Sequence, residues 1–272
     1  MFRSCLKTVS HIFQKDFFFL GVLFLFGWML IFPYGAHMDQ EFEMRILYSN
    51  YVSFCEQLGF EGSMYQEMVQ DGVINIKDSI EKDHGMAIFY PLFGIWKLNQ
   101  KSSFLGNLLW HHYVYLICFL GVLGLYYLIK RMFNTKTARI VAALYFFTPR
   151  MFAEFHYNNI DLAVLSLALL VYYSGWKLSE DANLKNLLLF AALGAFLSNI
   201  RIIGLFLWGM TGLSVLLIKI LKKEFHRKLI IQIILCIAAA IVFFCLITPA
   251  AWKDMGGYLG YVIEGASNYT MW

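Results

Sequence analysis

Long apolar runs recur along this chain from Phe17 to Ile247, and the gaps between them hold most of its lysines and arginines. A bilayer core about 30 Å thick requires about 20 predominantly apolar residues of every helix that crosses it, so repeated runs of this kind leave little room for a soluble fold. Composition agrees, with 60% hydrophobic, 18% aromatic and 15% charged residues. The chain is read as an all-α integral membrane protein. Its net charge of +4 reports orientation and not a nucleic-acid partner, because membrane proteins concentrate Lys and Arg in cytoplasmic loops.

The basic clusters are Arg3, Lys7 and Lys15, then Lys130 to Arg139, then Lys177 and Lys185, then Lys219 to Lys228. Placing all of them on the cytoplasmic side predicts seven spans, at about 17–36, 104–129, 140–153, 160–176, 186–200, 202–219 and 229–248, with the amino terminus inside. The first run lacks a following small-residue cleavage site and reads as a retained helix. Residues 37–103 then form an outer segment of the single domain, 1–272. Within it, Phe42, Ile46, Leu47, Tyr51, Phe54 and Leu58 recur at helical spacing, predicting an amphipathic helix stopped by Gly59 and Gly62. Met86 to Trp96, apolar around Pro91 and too short to span, predicts an interfacial or re-entrant helix. Cys118, Cys236 and Cys245 lie in apolar runs and Cys55 in the outer loop, with no metal-binding spacing.

Under this topology four polar groups share the outer side: His37, Asp39 and Glu41; Asp83 and His84; Arg150, Glu154, His156, Tyr157, Asn158 and Asp161; and Arg201. Charges at a membrane surface lose hydration unless paired or used, which marks them as candidates for function. Carboxylates act as general bases or hold a divalent cation, and arginines hold phosphate through paired hydrogen bonds. Each has a plainer reading: Glu41 and Glu43 as a solvated face, His111 and His112 as anchors or core hydrogen-bond partners, and Arg201 as an arginine reaching for the interface. Arg201 runs against the positive-inside bias, which favours a role.

These residues carry a resemblance. Asp39-Gln40-Glu41 after the first span resembles the acidic motif in the first outer loop of the GT-C glycosyltransferases, the superfamily of protein O-mannosyltransferases and bacterial aminoarabinose transferases. Lys82-Asp83-His84-Gly85 to Leu92 is similar to a second outer motif. Thr148-Pro149-Arg150 through Tyr157-Asn158-Asn159-Ile160-Asp161 is similar to a Ser-Pro-Arg, Phe-Tyr-Asn, Lys-Asp pattern of that family. Ile200 to Gly204 and Thr248 to Trp252 also fall where the family has counterparts. Two departures stand out: Gln40 where the mannosyltransferases carry a second acid, and Asn159-Ile160 before Asp161.

The resemblance implies a multi-span helical bundle of GT-C type in a cell membrane, a bacterial inner membrane being expected. It also implies transfer of a sugar from a polyisoprenyl-phosphate donor to a hydroxyl or amine at the outer face, with inversion. Asp39 would take the acceptor proton, and Arg201 and Arg150 would hold the donor phosphate. Glu41, Asp83, His84, Tyr157, Asn158 and Asp161 would contact the acceptor or a divalent cation. Relatives continue into further spans, so the chain is expected to correspond to the amino-terminal part of such an enzyme. The alternatives are a non-catalytic truncated membrane protein and a lipid or solute transporter, though no paired repeat or broken midplane helix marks the latter. Asn268-Tyr269-Thr270 matches a glycosylation sequon.

Overall fold

The computed structural model describes residues 2–157, 160–224 and 226–267, with side chains from Asp16 onward. Asn158, the sequon at 268–270 and the side chains of Arg3, Lys7 and Lys15 lie outside the described residues. The chain folds in the order α1 (Phe2–Met29), α2 (Gln40–Leu58), α3 (Ser63–Gln70), α4 (Ile95–Lys101), α5 (Ser103–Met132), α6 (Thr135–Phe147), α7 (Pro149–Tyr157), α8 (Ile160–Glu180), α9 (Leu184–Ile200), α10 (Ile203–Leu221), α11 (Arg227–Ile247) and α12 (Met255–Ser267). Short 3-10 turns occupy Ile76–Asp78, Ala87–Leu92 and Pro249–Ala251, and no strand occurs among the described residues.

Of these helices, α5, α8, α10 and α11 are long and apolar enough to cross a membrane; Asp16–Met29 and α9 are apolar but shorter. The outside of the bundle is oily, with Leu213, Leu217, Ile230, Ile234, Ile241 and Leu246 all exposed. Its interior, by contrast, encloses Asn50, His111, His156, Ser166, Ser174 and Asn199. An exposed apolar coat of that extent is stable in lipid and not in water. The helices approach closely where small residues face them: a Cβ on Gly121 of α5 would strike Ser166 of α8, and one on Gly194 of α9 would strike Trp208 of α10.

Three expectations change in detail. The first apolar helix stops at Met29 instead of 36, because the chain turns over Leu30 to Tyr34 around Pro33. The third segment, expected as one span over 140–153, is two helices broken at Thr148-Pro149. Proline lacks the N–H that would continue α6 and drives the residue before it out of helical geometry, and Thr148 accordingly sits at φ −58°, ψ 122°. Met86 to Trp96, expected as one interfacial or re-entrant helix, is the 3-10 turn Ala87–Leu92 followed by the start of α4, with Met86, Phe89 and Ile95 fully buried in protein and Phe89 stacked on Trp110 at 5.1 Å. The amphipathic α2 does form, ended by Gly59 in left-handed geometry (φ 69°), with Ile46, Leu47 and Val52 packed into protein.

Contacts segregate the two ends of the bundle. At the basic end, buried Asp16 accepts from Lys130 Nζ at 2.5 Å and from Arg139, tying α1 to α5 and α6, while Arg131 pairs with Glu180 of α8. At the other end, Gln57 of α2 donates to the Pro249 carbonyl at 3.0 Å, and the Tyr90 hydroxyl donates to the Ile247 carbonyl at 2.7 Å. The candidate motifs all lie at this second end.

Candidate active site

Arg201 occupies the turn between α9 and α10 in extended backbone, φ −147° and ψ 137°. The turn is tight because Gly204 N–H bonds the Arg201 carbonyl at 2.8 Å, and a Cβ on Gly204 would run into the Leu197 carbonyl. From there the guanidinium Nη1 donates to His84 Nε2 at 2.5 Å, and Nη2 lies 4.0 Å from Asp161 Oδ1 at the start of α8. On the far side of the imidazole, Nδ1 is 2.7 Å from Glu81 Oε2 and 3.4 Å from Asp83 Oδ1. The structure thus brings together Asp83, His84, Asp161 and Arg201, residues from three distant stretches of sequence. It adds Glu81, which no motif singled out.

Burial pushes the Asp83 carboxyl upward, but its contact with the His84 ring, with Arg201 behind it, holds it below the ordinary carboxylate value. Glu81, Asp83 and His84 also present ligand atoms within 4.8 Å of one another, a donor set that a divalent cation can use. A cation on His84 Nδ1 needs the lone pair there, which places the ring proton on Nε2, where an Arg201 N–H already points. Metal ligation and the Arg201 bond therefore exclude each other, and the residues as arranged do not fit a cation.

Asn199 holds this end of the molecule in register. Its Oδ1 accepts from Ala87 N–H at 3.0 Å and its Nδ2 donates to Thr248 Oγ1 at 2.9 Å, so one buried amide joins the second motif, α9 and the Thr248-Pro249 segment. Gly85 is pressed so closely on Asn199 that a Cβ would meet its backbone carbonyl. From above, Tyr261 of α12 donates to the Ile80 carbonyl at 2.5 Å and its ring lies 4.2 Å from Lys82 Nζ.

Asp39 belongs to a neighbouring group. It precedes α2 without capping it by its side chain, its carboxylate is 58% exposed, and Oδ2 lies 3.8 Å from His37 Nδ1. His37 stacks on Tyr157 at 5.4 Å, and Tyr34 stacks on buried His156 at 4.6 Å. Tyr157 ends α7 and Asp161 lies in the first turn of α8, so this stretch leads from the Asp39 group toward Arg201. Glu41 stays exposed on the first turn of α2. Gln40, in the position of the missing second acid, is buried and faces α5: its Oε1 meets His111 Nε2 at 2.8 Å and its Nε2 donates to Asn107 Oδ1 at 2.9 Å. Arg150 is not brought to Arg201; its exposed guanidinium lies along α7, 3.4 Å from Glu154.

Glu81 and Asn199 escaped the sequence reading for different reasons. Glu81 is one acid among several in a polar loop, and its spacing of three residues from His84 was the one available signal. Asn199 is a single amide at the end of an apolar helix, where a satisfied core residue is the ordinary reading.

The chain matches no curated protein sequence and no solved structure. The family model for dolichyl-phosphate-mannose-protein mannosyltransferase matches residues 86–262, well over half of the chain. The match begins just past His84 and takes in Arg150, Asp161 and Arg201 as well as Asn199 and Thr248. This is a family of membrane glycosyltransferases of the GT-C kind. With its apolar coat, its spanning helices and that match, the chain belongs to the dolichyl-phosphate-mannose-protein mannosyltransferase family.

Proposed function

We propose that the protein transfers a sugar from a polyisoprenyl-phosphate donor to a hydroxyl or amine acceptor at the outer membrane face, with inversion at the sugar carbon. The observation that supports this most is the state of Arg201: its short hydrogen bond goes to a ring nitrogen of His84 and not to a carboxylate. Its charge remains open to a phosphate, which arginine binds through paired, charge-assisted hydrogen bonds. The acceptor atom attacks the anomeric carbon, the bond to the phosphate oxygen breaks, and the electron pair leaves with the polyisoprenyl phosphate beside Arg201. Asp39 takes the acceptor proton. A carboxylate is too weak a base to strip an alcohol before attack, so the proton leaves late, as the new bond forms. Tyr157 and Asp161 line the acceptor side in this reading, while Arg150 remains outside the phosphate site.

Membranes carrying the protein, given a labelled lipid-linked sugar and a hydroxyl acceptor, test it. The expected product has the anomeric configuration opposite to the donor's. Retention of configuration would exclude the single displacement, and unchanged transfer by an Asp39→Asn protein would remove the base.

A further inference from the structure

We propose that Glu81 is a positioning residue for the donor phosphate: it fixes His84 in the Nδ1–H tautomer, so that the Nε2 lone pair holds Arg201 in place without neutralising it. This rests on the reading of Arg201 as the phosphate ligand. His84 Nδ1 is enclosed by protein, with carboxylate oxygens at 2.7 Å (Glu81) and 3.4 Å (Asp83), neither on a straight hydrogen-bond line. A lone pair at that atom would face two anions, whereas an N–H there is attracted to both. At the other side of the ring an Arg201 N–H points at Nε2 from 2.5 Å. Arginine has donors only and stays charged, so Nε2 must be the acceptor. Both sides of the ring demand the same tautomer.

The consequence concerns competition. A carboxylate in His84's place would satisfy Arg201 by itself, and an incoming phosphate would have to displace it. A neutral ring nitrogen restrains the guanidinium and leaves its charge for the ligand. Asp161 offers little competition, because it lies 4.0 Å away and is 74% exposed. The turn that carries Glu81 is itself set: Glu81 N–H donates to Ser79 Oγ at 3.1 Å, and His84 N–H to the Glu81 carbonyl at 3.0 Å.

The test measures binding of a polyisoprenyl monophosphate to the protein in nanodiscs, alongside 15N NMR of histidine-labelled protein to read the His84 tautomer. Glu81→Ala is expected to weaken binding about fivefold to tenfold, the loss of one close polar contact at an organised site, and to give mixed tautomers. Glu81→Gln, which keeps an oxygen facing Nδ1–H, should retain the single tautomer and bind within about twofold of wild type, the scale of a retained polar contact. In an Arg201→Ala background, Glu81→Ala should have no further effect, since it acts through Arg201. His84 in the Nε2–H form would overturn the proposal, as would a Glu81→Ala protein with unchanged tautomer and binding. Tightening of the lipid by magnesium or manganese that is lost in both Glu81 variants would also overturn it, in favour of a cation site. Normal binding by Arg201→Ala alone would overturn the donor reading, while the NMR result would still decide the Glu81–His84 part.

Discussion

Gln40 occupies a position where the resembling mannosyltransferases carry an acid, and its surroundings account for the change. The amide is buried against α5 and serves one acceptor and one donor function at once, toward His111 and Asn107. A carboxylate cannot donate to Asn107, which accounts for an amide at this position beside the exposed Asp39. Gln40→Ala should therefore strand buried His111 and release half-buried Asn107, and cost about 1–3 kcal/mol, seen as a lowered unfolding temperature in detergent. Asp83 supplies a pH prediction. Its carboxyl is held below 3.8, so the stabilisation it gives is complete above that ordinary value and is lost as pH falls through the lower, folded one. Carboxyl 13C titration should show Asp83 still ionised at pH 3.8, with its contact to His84 dissolving only below it. At this scale the sequence exposed residues that are chemically conspicuous, namely Asp39, Asp83, His84 and Arg201. It hid Glu81 and Asn199, whose importance comes from what lies across the fold from them.

Elements were legible where one periodicity or one residue decides. Helix α2 and its glycine stop were read directly, though not its faces, since Phe42 and Leu58 of the expected apolar stripe are exposed and Glu43 and Asn50 buried; Pro149 explains the break of the third segment as plainly as any sequence signal can. What could not be read was burial: length marks Met86 to Trp96 only as too short to span, and it is the surrounding α5, α9 and α2 that bury it. That packing predicts that Gly85→Ala, which forces a Cβ onto the Asn199 carbonyl, displaces the His84 segment from α9. Overpacking of this kind costs about 1–3 kcal/mol, and the donor-phosphate analogue should bind more weakly even where the protein stays folded. At the opposite end, Asp16 clamps α1 to α5 and α6 through Lys130 and Arg139. Asp16→Ala leaves two cations facing each other in a half-buried setting, a loss of about 2–5 kcal/mol measurable by thermal unfolding.

Across the whole molecule, basic loops collect at one end and the family motifs at the other, which is the arrangement the charge pattern predicted before any contact was known. The apolar coat and four span-length helices place the bundle in a membrane; we propose that it crosses seven times. Single-cysteine labelling tests it, because a cysteine at Asp71 should react from the outer side, and reaction only from the cytoplasmic side would reverse the model. The mechanism we propose divides the labour, with Arg201 binding the leaving phosphate and Asp39 taking the proton. Binding of a non-hydrolysable polyisoprenyl-phosphate sugar analogue, measured beside single-turnover transfer for the same preparations, separates them. Asp39→Asn should bind the analogue as wild type does while transfer falls by roughly two to four orders of magnitude, the range for loss of a general base. Arg201→Ala should lose analogue affinity and turnover together. An Asp39→Asn protein that transfers at the wild-type rate, or an Arg201→Ala protein that binds the analogue normally, would contradict the account.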